Sequence, residues 1–266
     1  MNQEIFADRI KIVLMRTTHP GNVGAVARAM KNMGLYDLSL VNPEFNKVLS
    51  EDEALRRSAG AEDILSGAKK FTLLDEAVSD CHVLIGASAR SRKMPWPLMN
   101  PRDCADKVMR LMLDKETSDS KSKVAFLFGQ EASGLSNDEL HRCHYHVNIP
   151  AVSEFSSLNL AMAVQVICYE LRMGFLYSNT QEHDNSISPI VSPKDEGWDE
   201  PLAAVNDVEG FLVHLEETLI KTGFHDPNKP RQLMTRLRRL FQRVHLDQME
   251  VNILRGILTS IHKGFK

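Results

Sequence analysis

Three segments of this chain have polar side chains at points where an apolar strand pattern changes to a helical one. The first, RTTHPGNVGAVARAM, follows the apolar run Ile10–Met15 and contains a Pro-Gly turn. We predict that a helix begins near Asn22, because asparagine is a favoured N-cap. An uncapped helix start presents free N–H groups to an anion. Arg28 adds a cation six residues later. The segment suits anion binding, although a capped helix with a surface arginine would have the same sequence.

The second segment, VAFLFGQEASGLSNDEL, leads from an apolar strand pattern directly into Gly129, Gln130 and Glu131. Glycine at the carboxyl end of a strand lets a ligand or a second backbone come close, and open α/β sheets bind their ligands at that edge. Gly134 then precedes a helix that begins with the capping-box pattern SNDE. Glu131 is therefore a candidate for contact with a ligand, and an ordinary surface acid is the alternative.

The third segment, VSEFSSLNLAMAVQV, joins a polar run to a helix that we predict over Leu158–Leu176. This helix is apolar on nearly every side, which is typical of a buried helix. We predict Ser157 as its N-cap, with Ser156 and Asn159 close by. Because the helix follows a strand pattern that ends at Ile149, its N-terminus should open at the same edge of the sheet as the second segment. These side chains could bind a ligand there or simply satisfy backbone groups.

Two basic runs add further candidates for binding. The segment VLIGASARSRKMPWPLMNPR ends a strand in the small residues Gly86–Ala89, which leave room for a bound group, and it has no acid up to position 102. Residues 228–246 also lack an acid. The cations concerned are Arg90, Arg92 and Lys93 in the first run and Arg236, Arg238, Arg239 and Arg243 in the second. On a chain of net charge −3 these are local basic surfaces, and either could be a solvated face.

The pattern of strands and helices supplies a framework for these segments. Nearly continuous apolar runs are typical of strands buried on both faces of a parallel sheet. They predict strands at Ile10–Met15, Leu38–Val41, His82–Ala87, Val124–Phe128 and His146–Ile149. Helical periodicity predicts helices at Val23–Met33, Asp52–Arg57, Cys104–Leu113, Asn137–Arg142 and Leu158–Leu176, with a second capping-box pattern at Ser50. This alternation predicts an α/β sheet domain.

The last third of the chain changes character. Residues 178–201 are polar, contain three prolines and show no periodicity, which indicates a linker. Three amphipathic helical patterns follow, and the second carries the tail arginines on the face opposite its leucines. We therefore predict an α/β domain over 1–177, a linker over 178–204 and a small helical domain over 205–266.

Composition limits the class of protein. The chain has 266 residues, of which 43% are hydrophobic and 25% charged, values typical of a soluble globular protein. No uninterrupted apolar run reaches the roughly 18–20 residues that cross a bilayer, and the N-terminus lacks a signal-peptide pattern, so we expect no membrane. Four dispersed cysteines indicate reduced thiols and a cytoplasmic location. We expect no metal, because the tract HRCHYH lacks the spaced partners of a metal site.

Together the first three segments resemble the signature of the SPOUT superfamily of RNA methyltransferases, in the branch that methylates ribose 2′-hydroxyls. The three motifs of that branch are matched by Asn22 with Arg28, by Phe128–Leu135 with Glu131, and by Ser157–Asn159. The stretches ARAMKNMGL, ASARSRKMPWP, HYHVNIP and SSLNLAMAVQV, with the helical tail, are most similar to members that act on cytidine or uridine at nucleotide 32 of the tRNA anticodon loop. Phe155 stands where this resemblance leads us to expect tyrosine.

The resemblance implies a SPOUT α/β-knot: a mainly parallel sheet flanked by helices, with a C-terminal trefoil knot and a small tRNA-binding helical domain. It implies S-adenosylmethionine-dependent 2′-O-methylation of tRNA by a homodimer, in which the partner's Arg28 completes the active site. The cofactor-binding residues that it implies are Ala87, Ser88, Ala89, Gly129, Gln130, Ile149, Ser156, Ser157 and Leu158. The catalytic residues that it implies are Arg28, Asn22, Glu131, Ser157 and Asn159. The cations of the two basic runs would bind the RNA.

Two alternative functions stay open on the sequence. One is the same chemistry at another tRNA site or on ribosomal RNA, and the other is a non-catalytic RNA-binding module, which the intact motifs argue against. As for mechanism, arginine has a pKa above about 12 and is rarely neutral in a protein. Arg28 is therefore expected to hold a substrate phosphate and to stabilise developing alkoxide charge. Glu131 could orient that arginine or another group around the hydroxyl.

Overall fold

The computed structural model describes residues 2–44, 47–88, 98–113, 122–181 and 201–264, and the side chains of 179–181 lie outside that description. The strands are β1 Ile10–Met15, β2 Asp37–Val41, β3 Lys69–Phe71, β4 Val83–Ala87, β5 Leu98–Met99, β6 Val124–Phe128 and β7 Tyr145–Val147. The helices are α1 Gln3–Asp8, α2 Pro20–Asn32, α3 Asp52–Ser58, α4 Glu62–Gly67, α5 Leu74–Ala77, α6 Pro101–Leu113, α7 Asn137–His141, α8 Leu160–Gln181, α9 Val205–Lys221, α10 Leu233–Val244 and α11 Gln248–Gly264. All the predicted strands and helices are present.

The strands form one parallel sheet in the order β3-β2-β1-β6-β4-β7-β5. β1 lies between β2 and β6, and β4 lies between β6 and β7. Because these pairings are parallel, the carboxyl ends of β1, β6, β4 and β7 lie along one edge, where the candidate segments leave the sheet. The sequence does not predict β3 and β5, because their runs KKF and LM are too short for a periodic signal.

Alternate strand residues face opposite sides of the sheet, as the two-residue period of a strand requires. Ile12, Leu14 and Phe126 pack into one buried cluster with residues of α2, α6 and α8. Val13 and Leu127 pack into a second cluster with residues of α5 and α7. Both faces of the sheet are therefore covered, which explains why its central strands are continuous apolar runs in the sequence.

The long helix α8 packs against α2 and α6. By length and composition alone its stretch Leu160–Ser178 is apolar enough to cross a membrane, although Glu170 and Arg172 interrupt the apolar run. Only 33% of that stretch is buried inside the chain. The buried part, which includes Val164 and Leu171, belongs to the first core cluster.

The three amphipathic patterns of the tail form α9, α10 and α11, as predicted. Phe211 of α9 packs edge-on against Phe241 of α10, with 4.8 Å between the ring centroids. The N–H of Val205 donates to the carbonyl oxygen of Cys81 at 3.1 Å, which ties the start of α9 to the sheet domain. α8 extends to Gln181, past the predicted limit of the first domain at 177. The linker lies largely outside the described residues, and the domain limits stay a prediction.

The start of α2 differs from the prediction. The helix begins at Pro20, and its N-cap is His19, whose Nδ1 accepts a hydrogen bond from the N–H of Gly21 at 3.2 Å. Proline suits the first helical position because no helical hydrogen bond needs its N–H there. Asn22 is therefore inside the first turn instead of capping it, and its side chain is available for other contacts.

Two further caps also differ from the prediction. α8 begins at Leu160 and not at Leu158, and Asn159 caps it instead of Ser157 by accepting from the N–H of Ala161 at 2.9 Å. The capping box at Ser50 is absent, because Ser50 Oγ donates to the Lys47 carbonyl oxygen and Glu51 precedes the helix. The box that begins at Ser136 is confirmed.

Candidate active site

Three loops enclose a cleft at the carboxyl edge of the sheet: the loop after β4, the loop after β6, and the connection from β7 to α8. The predicted cofactor-binding residues that line it are Ala87, Ser88, Gly129, Gln130, Ile149, Ser156, Ser157 and Leu158. Ala89, the remaining one, lies outside the described residues. The second and third segments thus open at the same edge of the sheet, as the sequence predicts.

Glycine allows the loop after β6 to fold back on itself. The N–H of Gly134 donates to the Gln130 carbonyl oxygen at 2.7 Å, and Gly134 has a φ of +70°. A Cβ on Gly129 would lie 2.0 Å from the carbonyl carbon of Gly134, so a larger residue would force the loop apart. The folded loop directs the Glu131 side chain toward the segment that follows β1.

The Glu131 carboxylate accepts four hydrogen bonds from the segment after β1. The Thr17 hydroxyl and the Asn22 amide each donate to Oε1 at 3.0 Å. Thr18 donates to Oε2 twice, from its N–H at 3.1 Å and from its hydroxyl at 3.0 Å. Because β1 and β6 are neighbours in the sheet, the two segments leave it side by side. Hydrogen bonds to an ionised acceptor are stronger than neutral ones, so this contact holds the two segments firmly together.

A directed chain of hydrogen bonds connects Glu131 to the N-terminus of α8. Asn22 donates its amide N–H to Glu131, and its Oδ1 accepts from the amide of Asn159 at 3.0 Å. Asn159 Oδ1 accepts in turn from the backbone N–H of Ala161 at 2.9 Å. Every donor in the chain points toward the carboxylate, which determines how both amides are turned. This series of hydrogen bonds joins residues from all three sequence motifs.

The surroundings of Glu131 favour its ionised form. Burial, the largest single influence, acts to raise the pKa of this carboxyl group. Hydrogen bonds from Asn22, from its own backbone N–H and from Thr18 act in the opposite direction, and the net effect is a pKa below the usual value. Glu131 is therefore an anion at neutral pH and a weak base. It is suited to position its donors rather than to remove a proton.

The sequence does not single out Arg16, Thr17 or Thr18, which the structure brings to the site. The Arg16 guanidinium pairs with both carboxylate oxygens of Glu139, and Glu139 also accepts from the N–H of Ser136 at 2.7 Å. This pair connects the end of β1 to the start of α7. Two adjacent hydroxyls directly after a strand are a usable signal, but the neighbour of that strand in the sheet is not readable from the sequence.

Comparison with known proteins establishes the family. A family model described as "SpoU rRNA Methylase family" matches residues 9–169. The chain belongs to the SpoU methylase family. The model of the "tRNA methyltransferase TrmJ, C-terminal domain" matches residues 206–266 of this SpoU-family protein, which correspond to α9, α10 and α11.

Relatives of this SpoU-family protein match along nearly the whole chain. The tRNA (cytidine/uridine/adenosine-2′-O-)-methyltransferase TrmJ of Pseudomonas aeruginosa is 47% identical over 260 residues, which cover 96% of this chain and 95% of that protein. The tRNA (cytidine/uridine-2′-O-)-methyltransferase TrmJ of Klebsiella pneumoniae is 47% identical over 257 residues, which cover 97% of this chain and 98% of that protein.

Solved structures of similar proteins share the fold. TrmJ from Z. mobilis aligns with a TM-score of 0.75 at 30% identity, over 95% of this chain and 98% of that one. A probable methylase family protein from Haemophilus influenzae aligns with a TM-score of 0.59 at 40% identity, over 96% of this chain and 97% of that one. The SPOUT fold class with a C-terminal helical region is thereby confirmed.

Arg28 of this SpoU-family chain lies apart from the cleft of its own chain. It is exposed on α2, where it lines a concave surface with Ala25, Arg56 and Arg57. It lies six positions after Asn22, which is about 9 Å along the helix axis. The predicted catalytic residues that lie at or next to the cleft are Asn22, Glu131, Ser157 and Asn159.

The predicted RNA-binding cations differ in their surroundings. Arg236 and Arg243 are exposed on α10, and Arg239 is half-buried. Arg238 forms an ion pair with Glu209 of α9, so its charge is paired within the chain although the run 228–246 itself contains no acid. Arg90, Arg92 and Lys93 lie outside the described residues.

The histidine-rich tract has backbone partners in the fold. His144 Nδ1 accepts from the N–H of Leu84 at 3.0 Å, and His146 Nε2 lies 2.9 Å from the Leu140 carbonyl oxygen. Among the described residues no group of three or more His, Cys, Asp or Glu side chains is arranged to hold a metal ion. These two histidines therefore have a structural explanation in the connection between β4, α7 and β7.

Proposed function

We propose that this SpoU-family protein is an S-adenosylmethionine-dependent methyltransferase that methylates the ribose 2′-hydroxyl of cytidine or uridine in tRNA, with nucleotide 32 of the anticodon loop as its target. The observation that carries the proposal is the hydrogen-bond chain from Asn159 through Asn22 to Glu131, because it joins three methyltransferase motifs beside one cleft. The 47% identity to tRNA methyltransferases named TrmJ supports it. The intact motifs favour an enzyme over a non-catalytic RNA-binding module.

The residues of the cleft fit S-adenosylmethionine. Leu135, Ile149 and Leu158 offer apolar surface for an adenine ring, and Ser88 and Ser156 offer polar groups for the ribose and the methionine end. Glu131, which also lines the cleft, contributes a negative charge that suits a sulfonium cation. When bound, the cofactor supplies a methyl group that a nucleophile in line with the sulfonium can accept.

We assign activation of the ribose hydroxyl to positioning and charge. Glu131 holds the hydroxyls of Thr17 and Thr18 and the amide of Asn22 in one arrangement at the mouth of the cleft. Arg28 is assigned to hold a substrate phosphate and to stabilise the negative charge that develops on the 2′-oxygen. Orientation of the reacting groups contributes at most about 7–11 kcal/mol to lowering a barrier of this kind.

A homodimer would complete this assignment. Two thirds of the apolar stretch Leu160–Ser178 is not buried within the chain. Met162 and Tyr169 on it are 64% and 46% exposed. An extended apolar surface of this kind usually marks an interaction site. We assign the completion of the cleft to the partner's Arg28, because the Arg28 of the same chain does not line it.

The helical domain over 205–266 is proposed to bind tRNA, and the domain over 1–177 to carry the chemistry, with a linker over 178–204. Arg236, Arg239 and Arg243 lie on one face of α10 at helical spacing, where they could contact successive phosphates. Arg90, Arg92 and Lys93 are assigned to the RNA nearer the reacting nucleotide. The four cysteines are free and buried, which supports a cytoplasmic location, because thiols stay reduced there.

Methylation of an unmodified tRNA transcript tests the proposal. The protein is incubated with the transcript and isotopically labelled S-adenosylmethionine, and the digested nucleosides and mapped fragments are analysed by mass spectrometry. We expect label in 2′-O-methylcytidine or 2′-O-methyluridine at nucleotide 32, and none in a matched transcript with a 2′-deoxy nucleotide there. Label on a base, label at another nucleotide, or no label would contradict the proposal.

A further inference from the structure

Three arginines meet on the surface where α2 packs against α3. Arg28 comes from α2, Arg56 and Arg57 come from α3, and together with Ala25 they line one concave surface. All three arginine side chains are exposed. We call Arg28, Arg56 and Arg57 the arginine patch.

A close contact between two backbones builds the arginine patch. A Cβ on Gly24 would lie 2.0 Å from the carbonyl oxygen of Ala54, so α2 and α3 approach to a distance that only glycine allows. Arg28 lies one turn beyond Gly24, and Arg57 lies about one turn beyond Ala54. The packing of the two helices therefore places the backbones of the three arginines side by side.

The positive charge of the arginine patch is only partly paired. Arg57 Nε lies 3.3 Å from a carboxylate oxygen of Glu53. Within the described part of the chain, neither the side chain of Arg28 nor that of Arg56 has a hydrogen bond or an ion pair. Like charges held side by side repel one another, and this arrangement favours capture of an anion. The planar guanidinium matches two phosphate oxygens at once, which makes phosphate the group that the patch fits best.

The arginine patch extends from a residue that already has a role in the proposed function. Arg28 is assigned there to a substrate phosphate, and Arg56 and Arg57 continue the same positive surface away from it. A phosphate that Arg28 holds therefore lies close to Arg56 and Arg57 as well, because the three arginines line one concave surface. On the basis of the proposed function, we propose that Arg56 and Arg57 bind a backbone phosphate of the substrate RNA next to the methylated nucleotide.

Charge-removing variants test this site. Arg56→Gln is the cleanest, because it breaks no ion pair, and Arg56→Lys keeps the charge without the planar fork. Arg110→Gln, which removes an exposed arginine from α6, is the matched control. For each variant we would measure the KM and kcat for the tRNA transcript, its Kd at several salt concentrations, and the affinity for S-adenosylmethionine by calorimetry.

We expect Arg56→Gln to raise the KM and Kd for tRNA about three- to tenfold. The slope of the logarithm of the binding constant against the logarithm of the salt concentration should become shallower by about one, because one phosphate contact is lost. The kcat and the cofactor affinity should stay unchanged, Arg56→Lys should recover part of the loss, and Arg110→Gln should match the wild type. An Arg56→Gln protein with the wild-type KM and salt dependence would overturn the inference while leaving the proposed function intact. A wild-type protein that does not methylate tRNA would contradict both the inference and the proposed function.

A change on the RNA side tests the same contact independently. A tRNA stem-loop with an uncharged methylphosphonate on one side of the target nucleotide lacks one phosphate charge. If Arg56 binds that phosphate, the substitution weakens binding to the wild type but not further to Arg56→Gln. The methylphosphonate is placed in turn on each side of the target nucleotide. If its effect on binding is as large in Arg56→Gln as in the wild type at both positions, Arg56 contacts neither phosphate.

Discussion

The amide of Asn159 donates a hydrogen bond to the side-chain oxygen of Asn22 at 3.0 Å, across 137 positions of sequence. Asn22 passes the connection on to Glu131, which lies after a third element of the sheet. One chain of hydrogen bonds therefore connects the start of α8, the start of α2 and the loop after β6. Its direction determines which substitutions the site can accept.

Replacement of Asn159 by aspartate is expected to keep stability and lose activity. The aspartate still accepts from the N–H of Ala161, and its charge is favourable at the N-terminus of α8. It has no N–H to give to Asn22, whose oxygen is turned toward it. We expect methyl transfer to fall at least about tenfold, the equivalent of one hydrogen bond. Asn159→Ala should lose activity and also about 1 kcal/mol of unfolding free energy, because the cap is gone.

Rate measurements and denaturant unfolding on the two Asn159 variants separate these effects. An Asn159→Asp protein with full activity would show that the bond to Asn22 is not needed. An Asn159→Asp protein as unstable as Asn159→Ala would show that the capping argument is wrong.

Glu131→Gln is expected to reduce kcat by about a hundredfold, in the range measured for loss of one group from a polarised site. The glutamine has the same size but lacks the charge, and its N–H groups face donors from Thr17, Thr18 and Asn22. Glu4→Gln, an exposed position on α1, is the control and should have no effect. Steady-state kinetics on both variants makes the comparison.

The pH dependence gives a second check on Glu131. Its pKa is lowered in the fold, so its charge is present above the ordinary carboxyl value and is lost only when the pH falls through the lower folded value. The wild-type rate should therefore show no one-proton decrease from Glu131 between about pH 5 and 8. A decrease in that window that disappears in Glu131→Gln would make Glu131 a titrating base, contrary to the role given to it here.

Ser157→Ala is expected to lower turnover several-fold without unfolding the protein. Ser157 lines the cleft but does not cap α8, so its loss leaves the helix start intact. The unfolding free energy should stay within about 0.5 kcal/mol of the wild type. Kinetics at saturating tRNA and varied S-adenosylmethionine would detect the effect. Unchanged turnover together with unchanged cofactor affinity would show that Ser157 has no role in cofactor binding or catalysis.

Two buried histidines should make the fold less stable in acid. Burial lowers the pKa of His144 to about 3 and that of His245 to about 4, and the two rings stack 5.3 Å apart. The unfolded chain takes up these protons near pH 6.5, so their contribution is complete above that pH and is lost as the pH falls toward 4. Each histidine contributes a slope of up to about 1.4 kcal/mol per pH unit.

The variant His245→Asn tests this pH dependence. Asparagine tolerates the positive φ of 53° at this position and does not titrate. Denaturant unfolding between pH 7.5 and 4.5 should give a shallower slope for the variant than for the wild type. Equal slopes would mean that His245 is not held neutral by the fold.

Much of the fold can be predicted from the sequence because its central strands are buried on both faces and therefore form plain apolar runs. The edge strands Lys69–Phe71 and Leu98–Met99 give no such signal. Helix starts are harder, because the cap depends on local backbone geometry, and both Asn22 and Ser157 are wrong as caps for that reason.

The site is predictable in its members but not in its contacts. Glycine at a strand end and a resemblance of motifs are enough to select Glu131, Asn22 and Asn159. Their hydrogen bonds depend on β1 lying beside β6, and this order is a property of the whole sheet. The ion pair between Arg238 and Glu209 is hidden in the same way, since its acid comes from another helix.

A crystal structure of the protein with S-adenosylmethionine would show whether the cleft is the cofactor site. We expect cofactor density in the cleft between Ser88, the loop from Gly129 to Gly134, and Ser156–Leu158, with the hydrogen bonds from Asn159 through Asn22 to Glu131 intact beside it. Density elsewhere on the protein, or a cofactor that breaks these hydrogen bonds, would contradict this expectation.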